Sequence, residues 1–286
     1  MSASGIWPGG ARGAVSITVD NLGEAAEIEL GLRAADALRG DHYSVTTALP
    51  IMLRALAERE LRATFFVEGV NAETYPEALA TIIGAGHEVG YHAWCHEDWT
   101  GLDGEAEAAN LDRGLAAMND VGIEILGFRP PGGRMNTRTL ELLARRGLCY
   151  CSPAGAAAGV LDGMAVIPFA WPAVDVFHVL PTFAGLREHL TGTGEPGGVE
   201  GVRSALIESI DSAIAEGGQA TLVLHTWMIE AELEALRDVL DRVRGAVANG
   251  ELWAAPCREV GAWMRGHAES FAEPPLLDGT SWLEPS

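Results

Sequence analysis

Two periodicities alternate along the chain. Ala14 to Asp20, AVSITVD, is a short β-branched apolar run that stops at the polar NLGE, the pattern of a buried strand ending in a loop. From Ser44, SVTTALPIMLRALAERE opens on Ser/Thr, places apolar residues at helical spacing, and runs into a second apolar stretch, ATFFV. Helix followed by strand is therefore the unit. It recurs as a helix over Pro76 to Ala85, a strand around His87 to Tyr91, a helix over Glu105 to Asn119 and the strand ILGFR. A helix over Asn136 to Arg146 with a Gly147 stop, the strand LCYC, a helix over Val202 to Ala215, the strand ATLVLH, a helix over Glu230 to Val247 and a late strand ELWAA complete it.

Such alternation predicts a parallel sheet covered by helices. No GxGxxG follows the first strand, so a barrel is favoured over a nucleotide-binding open sheet. SPAGAAAGVLDG near residue 152 and TGTGEPGGVEG near residue 191 read as surface loops too short to link a second core. We expect one barrel domain over 1–272 and a tail over 273–286. The tail is either an arm that packs Leu276, Leu277 and Trp282 on a neighbouring copy, giving a homo-oligomer, or a frayed end.

Composition narrows the class. In 286 residues, 48% are hydrophobic, enough for a sizeable core. Nineteen basic against 40 acidic residues give a formal net charge of -21, which repels nucleic-acid phosphates and anionic lipid, so neither nucleic acid nor membrane is an expected partner. The start lacks a charged segment followed by an apolar run, and we expect a cytoplasmic protein. Cys95, Cys149, Cys151 and Cys257 show no CxxC spacing and read as reduced thiols.

The chemistry gathers at predicted strand ends. In GHEVGYHAWCHEDW, His92 and His96 follow a strand four residues apart, and two imidazoles on one face can share a metal. Asp20 and Asn21 follow AVSITV, Arg129 follows ILGF, and His225 follows ATLVL. In a parallel barrel the C-terminal strand ends converge on the face that carries chemistry. Taken singly, Asp20 reads equally as a helix cap and His225 as a hydrogen-bonded rim histidine.

Together these segments resemble the polysaccharide deacetylases, the family-four carbohydrate esterases with a NodB-type domain. The first motif of that family is matched by Thr18-Val19-Asp20-Asn21, the second by the segment from His92 to His96, and the third by Arg129-Pro130-Pro131-Gly132-Gly133. Leu222 to His225 matches the fifth, and Trp171 to Asp175 loosely matches the fourth. The resemblance implies an α/β fold, a distorted (β/α) barrel, holding a divalent metal, usually zinc, with cobalt or nickel as alternatives. It further implies Asp20 as general base, His225 as the acid that protonates the leaving nitrogen, Arg129 as the group holding Asp20, and Asp175 either orienting His225 or standing as a surface carboxylate. His92, His96 and the residue at position 21 would be the metal ligands.

Two departures stand out. Asn21 replaces the family's carboxylate ligand, which should weaken metal affinity while leaving the metal more electrophilic; Glu24 or a water could fill the gap. Ala93 replaces the usual Ser/Thr between the histidines. The family pattern does not use Cys95. Trp94, Trp99, Trp171 and Trp227 fall in or beside the motifs, as walls for a sugar or planar ring or as core packing; Trp94, Trp171 and Trp227, with Pro131 and Gly132, are the candidate substrate contacts.

The expected activity is metal-dependent hydrolysis of a non-peptide amide bond, removing an acyl group from an N-acylated amino sugar or related small molecule. Ring opening of a cyclic amide or ureide, as in allantoinase-like relatives, is the alternative, and a non-catalytic barrel with a degraded metal site is a third. The expected partner is a small molecule or short oligosaccharide.

Overall fold

The structure is a computed structural model that describes residues 5–34, 40–155 and 157–271. The expectations for Leu276, Leu277, Trp282 and the tail lie outside the described residues.

The strands are β1 (Gly13–Asp20), β2 (Thr64–Val67), β3 (Glu88–Tyr91), β4 (Gly127–Phe128), β5 (Tyr150–Cys151), β6 (Gly159–Leu161), β7 (Met164–Val166), β8 (Gln219–His225) and β9 (Leu252–Ala254). Among the described residues they form one curled sheet in the order β6-β7-β5-β4-β3-β2-β1-β8. All pairings are parallel except the β6–β7 hairpin. β1 is central and buried along its whole length, as a strand covered on both faces must be. β8 follows one of its edges from Ala14↔Gln219 to Asp20↔His225. β9 and β2 share the other edge, β9 pairing with Gly13 to Val15 and β2 with Thr18 to Asp20.

Helices cover the outside because their apolar positions recur every three to four residues. Ile229–Ala248 buries Ile229, Ala235, Leu236, Val239, Leu240, Val243 and Ala246 on one side. Gly104–Asp120 starts at Asp103, whose Oδ1 accepts from the amides of Glu105 and Ala106, and Thr137–Arg145 starts at Asn136, capping Thr139.

The sheet does not close into a regular barrel. Between β7 and β8 the wall is an irregular segment containing Pro168 and Pro172, tied to the sheet by single bridges, Ala154↔Phe169 and Val174↔Val223. Part of the stretch expected as a loop near residue 152 is the β6–β7 hairpin. It turns at Asp162 and Gly163, with φ of 50° and 80°, the left-handed pair of a tight hairpin turn. The stretch near residue 191 is also partly helical: Ala184–Thr191 ends at left-handed Gly192, and the next helix begins at Gly198 rather than Val202.

Candidate functional site

The site lies at the C-terminal ends of the strands, and most of its side chains come from the last strand residue or the one after it; His96 and Asp175 come from the turn after β3 and from the start of the helix Asp175–Val179. Asp20 ends β1 and His225 ends β8, side by side in register. Glu68, His92, Arg129 and Ser152 stand one position beyond β2, β3, β4 and β5.

Arg129 is buried and organises one half. Its Nη1 donates to Asp20 Oδ1 and to Thr18 Oγ1, both at 2.7 Å, while Nη2 donates to Ser152 Oγ at 2.8 Å. The guanidinium lies over the Phe66 ring, 4.2 Å from its centroid. A planar fork with three fixed acceptors leaves the Asp20 carboxylate little freedom.

The other half is held by Asp175. His225 Nδ1 donates to Asp175 Oδ1 at 2.6 Å, and the backbone amide of His225 donates to Oδ2 at 2.6 Å. Val176 N also donates to Oδ1. Asp175 is therefore a buried orienting group and not a surface carboxylate. Burial alone would lower the affinity of His225 for its proton, but the Asp175 carboxylate, with Asp20 behind it, outweighs that and raises its pKa.

His92 and His96 are brought together differently from a helical pair. They sit on a turn in which Ala93 and His96 have left-handed φ of 64° and 66°, and the rings meet edge-on with centroids 5.1 Å apart. His92 Nδ1 lies 2.8 Å from the Arg129 carbonyl, which can only accept, so Nδ1 carries the hydrogen and Nε2 keeps its lone pair. Burial pushes His92 down to about 3. Half-buried His96 is pushed down to about 3, first by desolvation and then by His92 and His225. Both rings are neutral at physiological pH, the form that binds metal.

Asn21 has a left-handed φ of 60°, and its buried Oδ1 has no hydrogen-bond partner among the described residues. A buried amide oxygen left without a donor costs about 1–3 kcal/mol, so this atom is suited to a cation or a ligand donor. Among the described residues no three His, Cys, Asp or Glu side chains group as a ligand set. The available donors are two imidazoles and one amide oxygen. Glu24 does not join them; Tyr75 Oη donates to its Oε2 at 2.6 Å, within a buried network that includes His42 and Ser44. The Cys95 thiol, pushed up to about 11 by burial and by Glu97, faces the Ala25 carbonyl.

The aromatic candidates separate. Trp227 stands 5.5 Å from the His225 ring. Trp171 packs among Phe169, Phe177 and Phe183, and Trp94 packs with Ala25 and Val70 under the Arg113 guanidinium, so both are in apolar clusters. Trp99 is fully buried against Phe128. Pro131 is buried, while exposed Gly132 has φ 67° and Gly133 has φ 77° in a turn whose backbone passes close to Ala154 and Phe169. A cavity of about 690 Å³ lies elsewhere, by the N-terminal end of β8; it is lined by Gln219 and Thr221 with Ser209 and Ser212, and none of these site residues lines it.

Glu68, Ser152 and Glu232 were not singled out from sequence. The strand-end rule that selects Asp20 and Arg129 would have found Glu68 after ATFFV and Ser152 after LCYC.

A curled α/β half-barrel with an Arg-held aspartate, an Asp-held histidine and paired neutral imidazoles at its strand ends defines the class of fold and site. Comparison with known proteins agrees. Residues 37–151 match the family model described as polysaccharide deacetylase. Chitin deacetylase 1 of Saccharomyces cerevisiae is 36% identical over 88 residues, covering 30% of this chain and 29% of that protein. The solved structure of a Mycobacterium smegmatis protein described as a candidate polysaccharide deacetylase is 27% identical, with a TM-score of 0.80 over 94% of this chain and 95% of that one. Puue allantoinase shares the fold, at 18% identity and a TM-score of 0.73, over 92% of this chain and 93% of that one. The chain spans less than two-fifths of the length of the curated relatives it matches. Its fold is of the polysaccharide deacetylase (NodB) type, and its likeness to the family model extends over residues 37–151.

Proposed function

We propose that the chain is a metal-assisted hydrolase of carbon–nitrogen amide bonds that removes an acyl group from an N-acylated amino sugar or a related small molecule. The observation that carries this reading is the register pair Asp20 and His225, each locked by its own buried partner, Arg129 and Asp175.

The residues present fit a divalent ion such as zinc: His92 with its free Nε2, neutral His96, and the unpartnered Oδ1 of Asn21. When bound, the ion would polarise the amide carbonyl and acidify a water. Asp20, with Oδ1 fixed by Arg129, takes the proton of the attacking water. His225, with Nδ1 committed to Asp175, gives the proton on Nε2 to the leaving nitrogen; the Asp175 carboxylate favours the protonated ring and raises its pKa.

The depth of the site favours a small substrate. Asp20, His92 and His225 are 5%, 3% and 7% exposed, which suits a compact group better than a polymer laid across a surface. The same depth supports a second reading, ring opening of a cyclic amide or ureide, which needs the same base, acid and electrophile.

Two measurements test the proposal. Elemental analysis should find one divalent ion per chain, reduced in His92→Ala and His96→Ala; unchanged content in both variants would overturn the ligand assignment. On metal-loaded protein, short N-acetylglucosamine oligomers, cyclic imides or ureides should be cleaved faster than polymeric chitin or peptidoglycan. Faster release from polymer than from every small compound would overturn the small-substrate reading.

A further inference from the structure

Behind the His225–Asp175 pair lies an acid with no part in the chemistry above. Glu232 sits in the first turns of the helix Ile229–Ala248 that follows β8, is 4% exposed, and its buried Oε1 meets no hydrogen-bond partner among the described residues. A small cavity of about 10 Å³ lies against it, bounded on one side by Asp175 and His225 and elsewhere by Met52, Leu224, Ile229 and Leu236. That volume is close to the least that holds one water, and its polar walls are the kind a buried water requires.

We propose that Glu232 is a positioning residue for the Asp175–His225 pair, joined to it through a single buried water. This role depends on His225 being the proton donor proposed above. Asp175 already accepts from His225 Nδ1, from the His225 amide and from Val176 N. A donor on the far side of the cavity completes its set of acceptor contacts and fixes the plane of the carboxylate. Burial, then repulsion by Asp175, pushes Glu232 up to about 8, so at neutral pH it is a carboxylic acid with a hydrogen to donate. Above that range its proton passes to solvent and a second negative charge stands beside Asp175. His225 then holds its own proton more tightly and becomes a poorer donor to a leaving nitrogen. The other titratable groups acting on His225 are Asp20 from β1, Arg129 from the turn after β4, and His92 and His96 from the turn after β3, both pushed down to about 3; the rest of the cavity wall is apolar.

The test needs no substrate. The imidazole resonances of His225 are followed by NMR in the full chain, without added metal, from pH 5 to pH 10. The expected result is a second inflection near pH 8 in the wild type that is absent from Glu232→Gln, which keeps the size and a neutral hydrogen-bonding end. Direct titration of the Glu232 carboxyl in the wild type covers the case in which the variant does not fold. A carboxyl titrating in the ordinary range near 4.3, or a His225 curve identical in both proteins, would overturn the proposal. Because neither readout involves turnover, failure here is distinct from failure to find a cleaved amide. With a cleavable substrate in hand, kcat of the wild type should fall above pH 8 while that of Glu232→Gln does not.

Discussion

Asn21 is the residue on which the proposed metal binding turns. Its buried amide oxygen, without a hydrogen-bond partner among the described residues, would be the third ligand beside two neutral imidazoles, where a carboxylate would supply an anionic one. Asn21→Asp adds that charge without changing the size of the side chain, so metal should be held more tightly, on the order of tenfold or more in a chelator titration. The left-handed φ of 60° is one that aspartate tolerates almost as well as asparagine, so the backbone should not object. Equal or weaker retention would remove Asn21 from the coordination sphere. At this scale the strand-end residues were legible because strand patterns mark where a strand stops. Glu232 was not: it lies in EAELEALRDVL, which reads as a charged helix face, and its partner Asp175 is brought beside it only by the irregular wall between β7 and β8.

The elements show where spacing misleads. His92 and His96 are four apart, the separation of neighbours on a helix, yet they sit on a turn that needs a left-handed alanine, a conformation no sequence pattern at Ala93 announces. The β6–β7 hairpin had a legible signal, the pair Asp162-Gly163 between apolar triplets, hidden by the Gly/Ala-rich run before it. His87, at the entry to β3, gives an element-scale prediction. Its Nδ1 accepts from Ala63 N, tying the chain just before β2 to the turn that leads into β3. Burial, with Arg62 nearby, pushes it down to about 4. Between that value and the ordinary value of about 6.5 the unfolded chain binds a proton that the folded chain does not. Stability therefore rises with pH across that window and is lost as pH falls through it. Urea midpoints measured at pH 7 and pH 5 should drop in the wild type, and His87→Asn, which keeps an acceptor for Ala63 N, should show a smaller drop. An equal drop in both would mean that His87 is not a source of the acid sensitivity.

For the molecule as a whole, the βα rhythm was enough to forecast a parallel sheet with its chemistry at one end, and the sheet order follows the chain from β1 to β5. What the rhythm did not contain was the opening between β7 and β8, where Pro168 and Pro172 interrupt regular pairing and two single bridges do the work of a strand. That irregular wall delivers Asp175 to His225, so the departure from a regular barrel is part of how the site is assembled. The central claim is that Asp20 and His225 act as base and acid on an amide bond. The most direct measurement is the rate of amide-bond hydrolysis, read as the carboxylate formed from a panel of N-acetylglucosamine derivatives, cyclic imides and ureides, by the zinc-loaded wild type and by His225→Ala at matched metal content. The account predicts cleavage of at least one small amide by the wild type and a loss of about a hundredfold or more in the variant, the usual scale for removing a general acid. No cleavage by the metal-loaded wild type, or equal rates in the two proteins, would contradict it.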